Sequence, residues 1–190
     1  NISQKLSRTI KLLKVVPVMG GSINNCYLAE VEKGPPLFFK THRGNIIPGM
    51  YAAESKSLQL LAEPGTLCVP NPVYFDEDWL IMDAFRTGAA APDWQERMGR
   101  GLALLHQATK RNKFGFSIDN YLGTSLQGNT WQDNWLSFWG DQRLGYQLRL
   151  FSQHAQADDP LLQGGARLLD QLEDILACGK ESAVLLHGDL

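Results

Sequence analysis

Leu37-Phe38-Phe39-Lys40 is a short apolar run that ends on a cation. After a loop the chain continues Pro48-Gly49-Met50-Tyr51-Ala52-Ala53-Glu54-Ser55-Lys56-Ser57-Leu58-Gln59-Leu60-Leu61. The first piece is too short for a helix and rich in aromatic residues, so it reads as a strand. The second opens on proline, which suits a first helical turn, and sets Glu54, Leu58 and Leu61 along one face. A helix is predicted over 48–63, stopped by Pro64-Gly65. Upstream, 15–19 is β-branched and runs into Gly20-Gly21, and 26–32 alternates loosely before Pro35-Pro36. With 37–40 these make three short strands in a row, a meander. Further upstream, Ile2, Leu6, Ile10 and Leu13 have helical spacing and predict a helix over 2–14. Downstream, 69–75 and 79–82 read as two more strands, separated by the acidic turn Asp76-Glu77-Asp78.

After Phe85 the pattern changes. Arg86 to Pro92 is small and flexible, suited to a linker. Asp93 with Glu96 forms a capping box for a helix whose Trp94, Met98, Leu102 and Leu105 share a face. Residues 130–153 read as helical, with Trp131, Trp135 and Trp139 at i, i+4 and i+8. Asp158-Asp159-Pro160 introduces another helix over 161–177. A short apolar run, 183–186, then leads into His187-Gly188-Asp189-Leu190. The expected fold class is α+β in two lobes: residues 1–85 as an antiparallel five-stranded sheet with one helix, 86–92 as linker, and 93–190 as a mostly helical lobe that is incomplete here.

Composition bounds the function. The chain has 190 residues, 44% of them hydrophobic, which supports a proper core and argues against disorder. A net charge of −2 without a concentrated basic face excludes a chain built to grip nucleic acid or an anionic membrane. Cys26, Cys68 and Cys178 lack CxxC spacing, so reduced thiols are expected rather than a disulfide framework or zinc site. No run of about 18 apolar residues and no charged-then-apolar leader is present. The expectation is a cytoplasmic protein that engages neither nucleic acid nor membrane. The residues carry no signal for an oligomeric state.

Several motifs point to phosphate chemistry. Gly20-Gly21-Ser22, between two strands, allows backbone amides to approach an anion closely; the same residues also suit an ordinary hairpin turn. Lys40 is placed to contact phosphates as a point charge, or simply to snorkel at a strand end. Glu54, taken alone, is a solvated carboxylate near Lys56. Taken with Lys40 it forms the strand-lysine and helix-glutamate pair that positions nucleotide phosphates in protein kinases. The strand at 79–82 runs into a segment whose backbone could bond an adenine edge. Trp135 suits core packing first and a sugar-stacking platform second. Asp189, on a tight loop after an apolar run, is suited to accept a hydroxyl proton while that oxygen attacks a phosphoryl group; Gly188 allows the turn and His187 braces it. His42, His106, His154 and His187 show no metal-ligand spacing. Cys26 follows the glycine turn closely enough for its oxidation to couple to that turn.

With these pieces in order, the sequence resembles the fructosamine kinase (ketosamine-3-kinase) family, within the wider aminoglycoside phosphotransferase and choline kinase group of protein-kinase-like fold. The carriers are Gly20-Gly21-Ser22-Ile23-Asn24, Phe38-Phe39-Lys40, Glu54 with Leu58 and Leu61, Leu80-Ile81-Met82-Asp83, and Leu102-Ala103-Leu104-Leu105-His106. Then come Phe114-Gly115-Phe116, Asn120, Gly123, Gln127, Asn129, Trp131, Trp135, Phe138 and Arg143, and finally His187-Gly188-Asp189-Leu190. The closing four residues mark only the wider group; the stretch from Phe114 to Arg143 is specific to fructosamine kinases.

The resemblance implies ATP-dependent phosphorylation of the 3-hydroxyl of a ketoamine, a sugar joined to a small amine or to a protein lysine, as deglycation repair. It implies Asp189 as catalytic base with His187 beside it, Lys40 paired with Glu54 at the phosphates, Gly20, Gly21 and Ser22 as the phosphate loop, and Met82, Asp83 and Ala84 as the adenine-contacting hinge. In the family the motif continues with an aromatic residue and Gly-Asn, and a later aspartate holds Mg²⁺. The metal ligands are therefore expected beyond Leu190 and none within this chain. The 190-residue chain by itself is expected to be cut inside its catalytic loop and inactive, since nothing in it neutralises the developing phosphate charge. Two alternatives stand beside this: another small-molecule kinase of the aminoglycoside or choline type, and a non-catalytic nucleotide-binding fragment.

Overall fold

The structure, a computed structural model, describes residues 10–19, 21, 23–85, 88–176 and 182–188. Five strands form one antiparallel sheet: β1 (Leu12–Val18), β2 (Asn24–Val31), β3 (Leu37–His42), β4 (Pro72–Phe75) and β5 (Trp79–Asp83), in the order β1-β2-β3-β5-β4. Helix α1 (Met50–Ala62) is inserted after β3, as the sequence predicts. Gly49 precedes it in a left-handed conformation, φ 77°, with its amide bonded to Glu77 Oε2 at 3.0 Å. Gly65, φ 65°, turns the chain away and returns its amide to the Ala62 carbonyl at 2.9 Å.

Side chains alternate across β3. Leu37 and Phe39 point to one face, where they bury with Ala29 and Ile81. Phe38, Lys40 and His42 point to the other, where α1 packs. Tyr51 of α1 stacks on His42, ring centroids 4.5 Å apart, and Met50, Ala53, Ser55 and Leu61 are buried with it.

Two expectations in this part change. Of the helix expected over 2–14, Ile2 and Leu6 lie outside the described residues, and Leu12 to Lys14 belong to β1. Pairing of β1 along β2 outweighs the helical spacing, which is a weak local signal. The strand expected over 69–75 starts only at Pro72. Pro70 and Pro72 lack the amide a ladder needs, which fits β4's place at the sheet edge. Of the expected linker, Arg86 and Thr87 lie outside the described residues. The next helix, α2 (Trp94–Ala108), buries Gly101 and Leu105, while Trp94 on its expected apolar face is half exposed. A Cβ at Gly101 would stand 2.9 Å from the Thr66 carbonyl, so glycine permits the close approach of α2 to the turn after α1.

Packing divides the chain into two compact units, Asn1–Ala108 with His187–Leu190, and Thr109–Leu186. The second begins with a hairpin the sequence did not announce, β6 (Asn120–Leu122) and β7 (Ser125–Gln127), turned at Gly123 with φ 62°. The helix expected over 130–153 is three pieces: α3 (Trp135–Trp139), a π turn (Gly140–Leu144) and α4 (Gly145–Ser152). Its first residues are instead extended, with Gln132 bridged to Phe114. Asn134 caps α3 by accepting the Ser137 amide at 2.7 Å. In the π turn the Gly145 amide reaches the Gly140 carbonyl, five residues back, and a Cβ at Gly145 would collide with that oxygen. Trp131 therefore leaves the helical face it was expected to share. The helix expected over 161–177 is α5 (Pro160–Asp170) and α6 (Leu172–Leu176), interrupted at Gln171, with Ala177 outside the described residues. Asp159 caps α5 at the Leu161 amide, 2.8 Å. No described helix is long and apolar enough to cross a membrane.

Candidate active site

Lys40 and Glu54 meet. Lys40 Nζ donates to both carboxylate oxygens of Glu54, each at 2.7 Å. The pair is mostly shielded, with side chains 20% and 31% exposed, so its mutual attraction is weakly screened. Sheet geometry makes this possible: β3 turns Lys40 toward α1, and Glu54 sits one helical turn after the buried Tyr51.

Cys26 is the cross-strand partner of Lys40. Burial pushes its thiol up from the ordinary range; Lys40 pulls it down, Glu54 pushes it up and Arg43 pulls it down. Burial dominates, and the protonated thiol is favoured. Gly21 packs onto the same place. A Cβ there would lie 3.0 Å from the Asn24 carbonyl oxygen and 3.7 Å from Cys26 Sγ, so only glycine fits without displacing a neighbour. Its companions Gly20 and Ser22 lie outside the described residues.

The expected hinge ends β5. Met82 is buried. The amide of Asp83 donates to the Asn71 carbonyl at 3.0 Å, and that of Ala84 to the Pro36 carbonyl at 3.1 Å. Both amides are thus engaged within the sheet region. His187 is exposed, and Gly188 is left-handed at φ 92°. That tight turn falls just before Asp189, which lies outside the described residues.

Trp135, in the second unit, packs among rings: Phe114 and Phe138 at 5.7 Å and Trp139 at 6.5 Å. Beside it lies a polar network that the sequence reading did not foresee. Asn129 is 2% exposed. It takes Asp119 Oδ1 with its amide, at 2.8 Å. Its Nδ2 donates to the Ile118 carbonyl at 3.0 Å and to Asn120 Oδ1 at 2.9 Å. Its Oδ1 accepts from the Arg143 guanidinium at 2.6 Å. Arg143 also bonds the Gly128 carbonyl at 2.8 Å and covers the Phe138 ring, 4.4 Å from its centroid. Burial pulls its guanidinium below the ordinary value. Asn120, Asn129, Phe138 and Arg143 thus build a scaffold.

Nor did sequence reasoning find Asn24, His42 and Tyr51 beside the Lys40–Glu54 pair. Tyr51 had a signal, its position three residues before Glu54 on the same helical face.

A profile of the fructosamine kinase family matches residues 1–190. The chain belongs to the fructosamine kinase family. It is 34% identical over 189 residues to the chloroplastic protein-ribulosamine 3-kinase of Arabidopsis thaliana, which covers 96% of this chain and 57% of that protein. It is 31% identical over 202 residues to a probable ketoamine kinase of Vibrio parahaemolyticus, covering all of this chain and 67% of the relative. The crystal structure of a Thermobifida fusca protein assigned as a fructosamine-3-kinase superposes with a TM-score of 0.82 at 27% identity, over 100% of this chain and 65% of the other. The chain thus spans little more than half the length of the plant enzyme. The protein-kinase-like α+β fold that the sequence implied is the fold of this family member.

Proposed function

We propose that the protein carrying this chain is an ATP-dependent kinase that phosphorylates the 3-hydroxyl of ketoamines, free or borne on protein lysines. The observation that carries this reading is the chelated Lys40. An ammonium has three donors, and Glu54 takes two at 2.7 Å. One N–H then remains for a phosphate oxygen, on a side chain whose position is set by its partner. Gly21 packs tightly on the β2 start beside Cys26, the cross-strand partner of Lys40.

In this reading Lys40 holds the nucleotide phosphates, Glu54 orients Lys40, and Gly20, Gly21 and Ser22 line the phosphate loop. Met82, Asp83 and Ala84 form the wall against the adenine. Because the Asp83 and Ala84 amides are engaged, their part there is steric or through carbonyl groups rather than through those donors. Asp189 accepts the proton of the sugar hydroxyl as its oxygen attacks, and His187 steadies the turn that Gly188 makes. ATP supplies the phosphoryl group when bound. Mg²⁺ is the expected companion, but the described residues gather no set of three His, Cys, Asp or Glu side chains that would hold a cation. Trp135 packs among rings in the second unit, and a sugar-stacking role there would be additional to that packing. Two described thiols, Cys26 and Cys68, are free, which suits a reducing cytoplasm.

The test is turnover by the full-length protein with ATP and a small fructosyl- or ribulosyl-amine. Phosphate should appear on the sugar's 3-hydroxyl. Asp189→Asn should abolish turnover and leave ATP binding intact. Phosphorylation of an aminoglycoside or choline in place of ketoamines would overturn the substrate assignment. ATP binding with no turnover on any of them would make this a nucleotide-binding module.

A further inference from the structure

Beside the Lys40–Glu54 pair, a buried hydrogen bond joins α1 to the start of β2. Tyr51 lies one helical turn before Glu54, on the same face of α1, and is 1% exposed. Its hydroxyl donates to Asn24 Oδ1 at 3.0 Å. Asn24 is itself 6% exposed and is the first residue of β2, paired across the ladder with His42. His42 stacks on the Tyr51 ring, tilted by 24°, and its Nε2 lies 3.0 Å from the Glu77 carbonyl. A carbonyl only accepts, so that nitrogen carries the proton. The ring is thereby fixed from both sides. Gly21 closes the connection, because a Cβ there would stand 3.0 Å from the Asn24 carbonyl oxygen and could not be accepted without a shift.

We propose that Tyr51 is a positioning residue for the nucleotide phosphates: its hydroxyl holds Asn24, and through it Gly21, in register with Lys40 and Glu54. This rests on the reading of Lys40 and Gly21 as phosphate-binding groups. Two facts favour this role over simple filling of the core. A phenylalanine would pack the same ring on His42, so the hydroxyl is needed only for Asn24. And the bond joins α1, which carries Glu54, to the β2 start, on which Gly21 packs. Burial, with Glu54 and Cys26 nearby, raises the phenol above its ordinary range, so it remains a donor at physiological pH.

The experiment measures binding of ATP and of adenosine to the full-length protein, for wild type, Tyr51→Phe, Asn24→Ala and the double variant. Adenosine reports the nucleoside site, and the ratio of the two affinities reports the phosphates. Tyr51→Phe should lower ATP affinity about 3- to 10-fold, the effect of one hydrogen bond, and leave adenosine affinity unchanged. Asn24→Ala should do the same, and the double variant should be no worse than either single one. A loss shared equally by ATP and adenosine, or no loss, would overturn the positioning role. If wild type itself shows no preference for ATP over adenosine, the phosphate site is misread and the inference falls with it.

Discussion

Asn129→Ala should remove a large share of the stability margin of the second unit. The side chain makes three hydrogen bonds: Nδ2 to the Ile118 carbonyl, Nδ2 to Asn120 Oδ1, and Oδ1 from Arg143. The first two are neutral and worth about 1 kcal/mol each, and the third, with a charged donor, about 2 kcal/mol. Their sum, about 4 kcal/mol, is a large share of the roughly 5–15 kcal/mol that holds a domain together. The cost is not softened by water, because Asn129 is 2% exposed and Arg143 is already desolvated enough to lower its pKa. Urea unfolding followed by tryptophan fluorescence is the assay, since Trp135 stacks on the Phe138 ring that Arg143 covers. The midpoint should fall by about 2 M at a slope of about 2 kcal/mol/M. Arg143→Lys should cost a similar amount, because an ammonium cannot span Asn129, the Gly128 carbonyl and the Phe138 face together. The double variant should cost much less than the sum of the two. A loss below about 1 kcal/mol for Asn129→Ala, a small effect for a buried polar residue, would refute the network as a scaffold.

Lys40→Met should reduce kcat/KM for ATP-dependent turnover by at least about 100-fold, or about 2.7 kcal/mol of transition-state stabilisation; turnover within threefold of wild type would remove Lys40 from the phosphates. Gly145→Ala should destabilise the protein by more than 1 kcal/mol, the order of a backbone clash in a packed helix, because its Cβ meets the Gly140 carbonyl; a neutral effect in thermal melts would show that the π turn relaxes freely. Exposed Cys68 should alkylate well before Cys26 at neutral pH, as read by peptide mass mapping; equal rates would contradict the buried, protonated thiol. Stability should also fall in alkali. Cys26 and Tyr51 have raised values in the fold, so the unfolded chain ionises first, near 9.0 for the thiol and 10.0 for the phenol. Their contribution is fully present below pH 9 and is lost as pH rises. Melting temperatures from pH 8 to 11 should decline less steeply for Tyr51→Phe than for wild type, and parallel declines would reject the assignment.

What could be read from the residues alone followed from short-range physics. The order of five strands with one helix after the third was legible because turn residues and side-chain periodicity act within a few positions. Lys40 and Glu54 were legible because each lies at a defined place on its own element. Where local spacing was the only guide, it failed: Leu12 to Lys14 looked helical until β2 paired with them, and 130–153 looked like one helix until Asn134 and Gly145 divided it. Only the tertiary structure decided that Tyr51 meets Asn24, that Asn129 gathers Arg143 and the β6 hairpin, and that Gly21 backs onto Asn24. These contacts join residues far apart in the chain, and their energy exists only after the sheet and helices have closed upon one another. A sequence states which groups are present, while burial decides which of them must find partners.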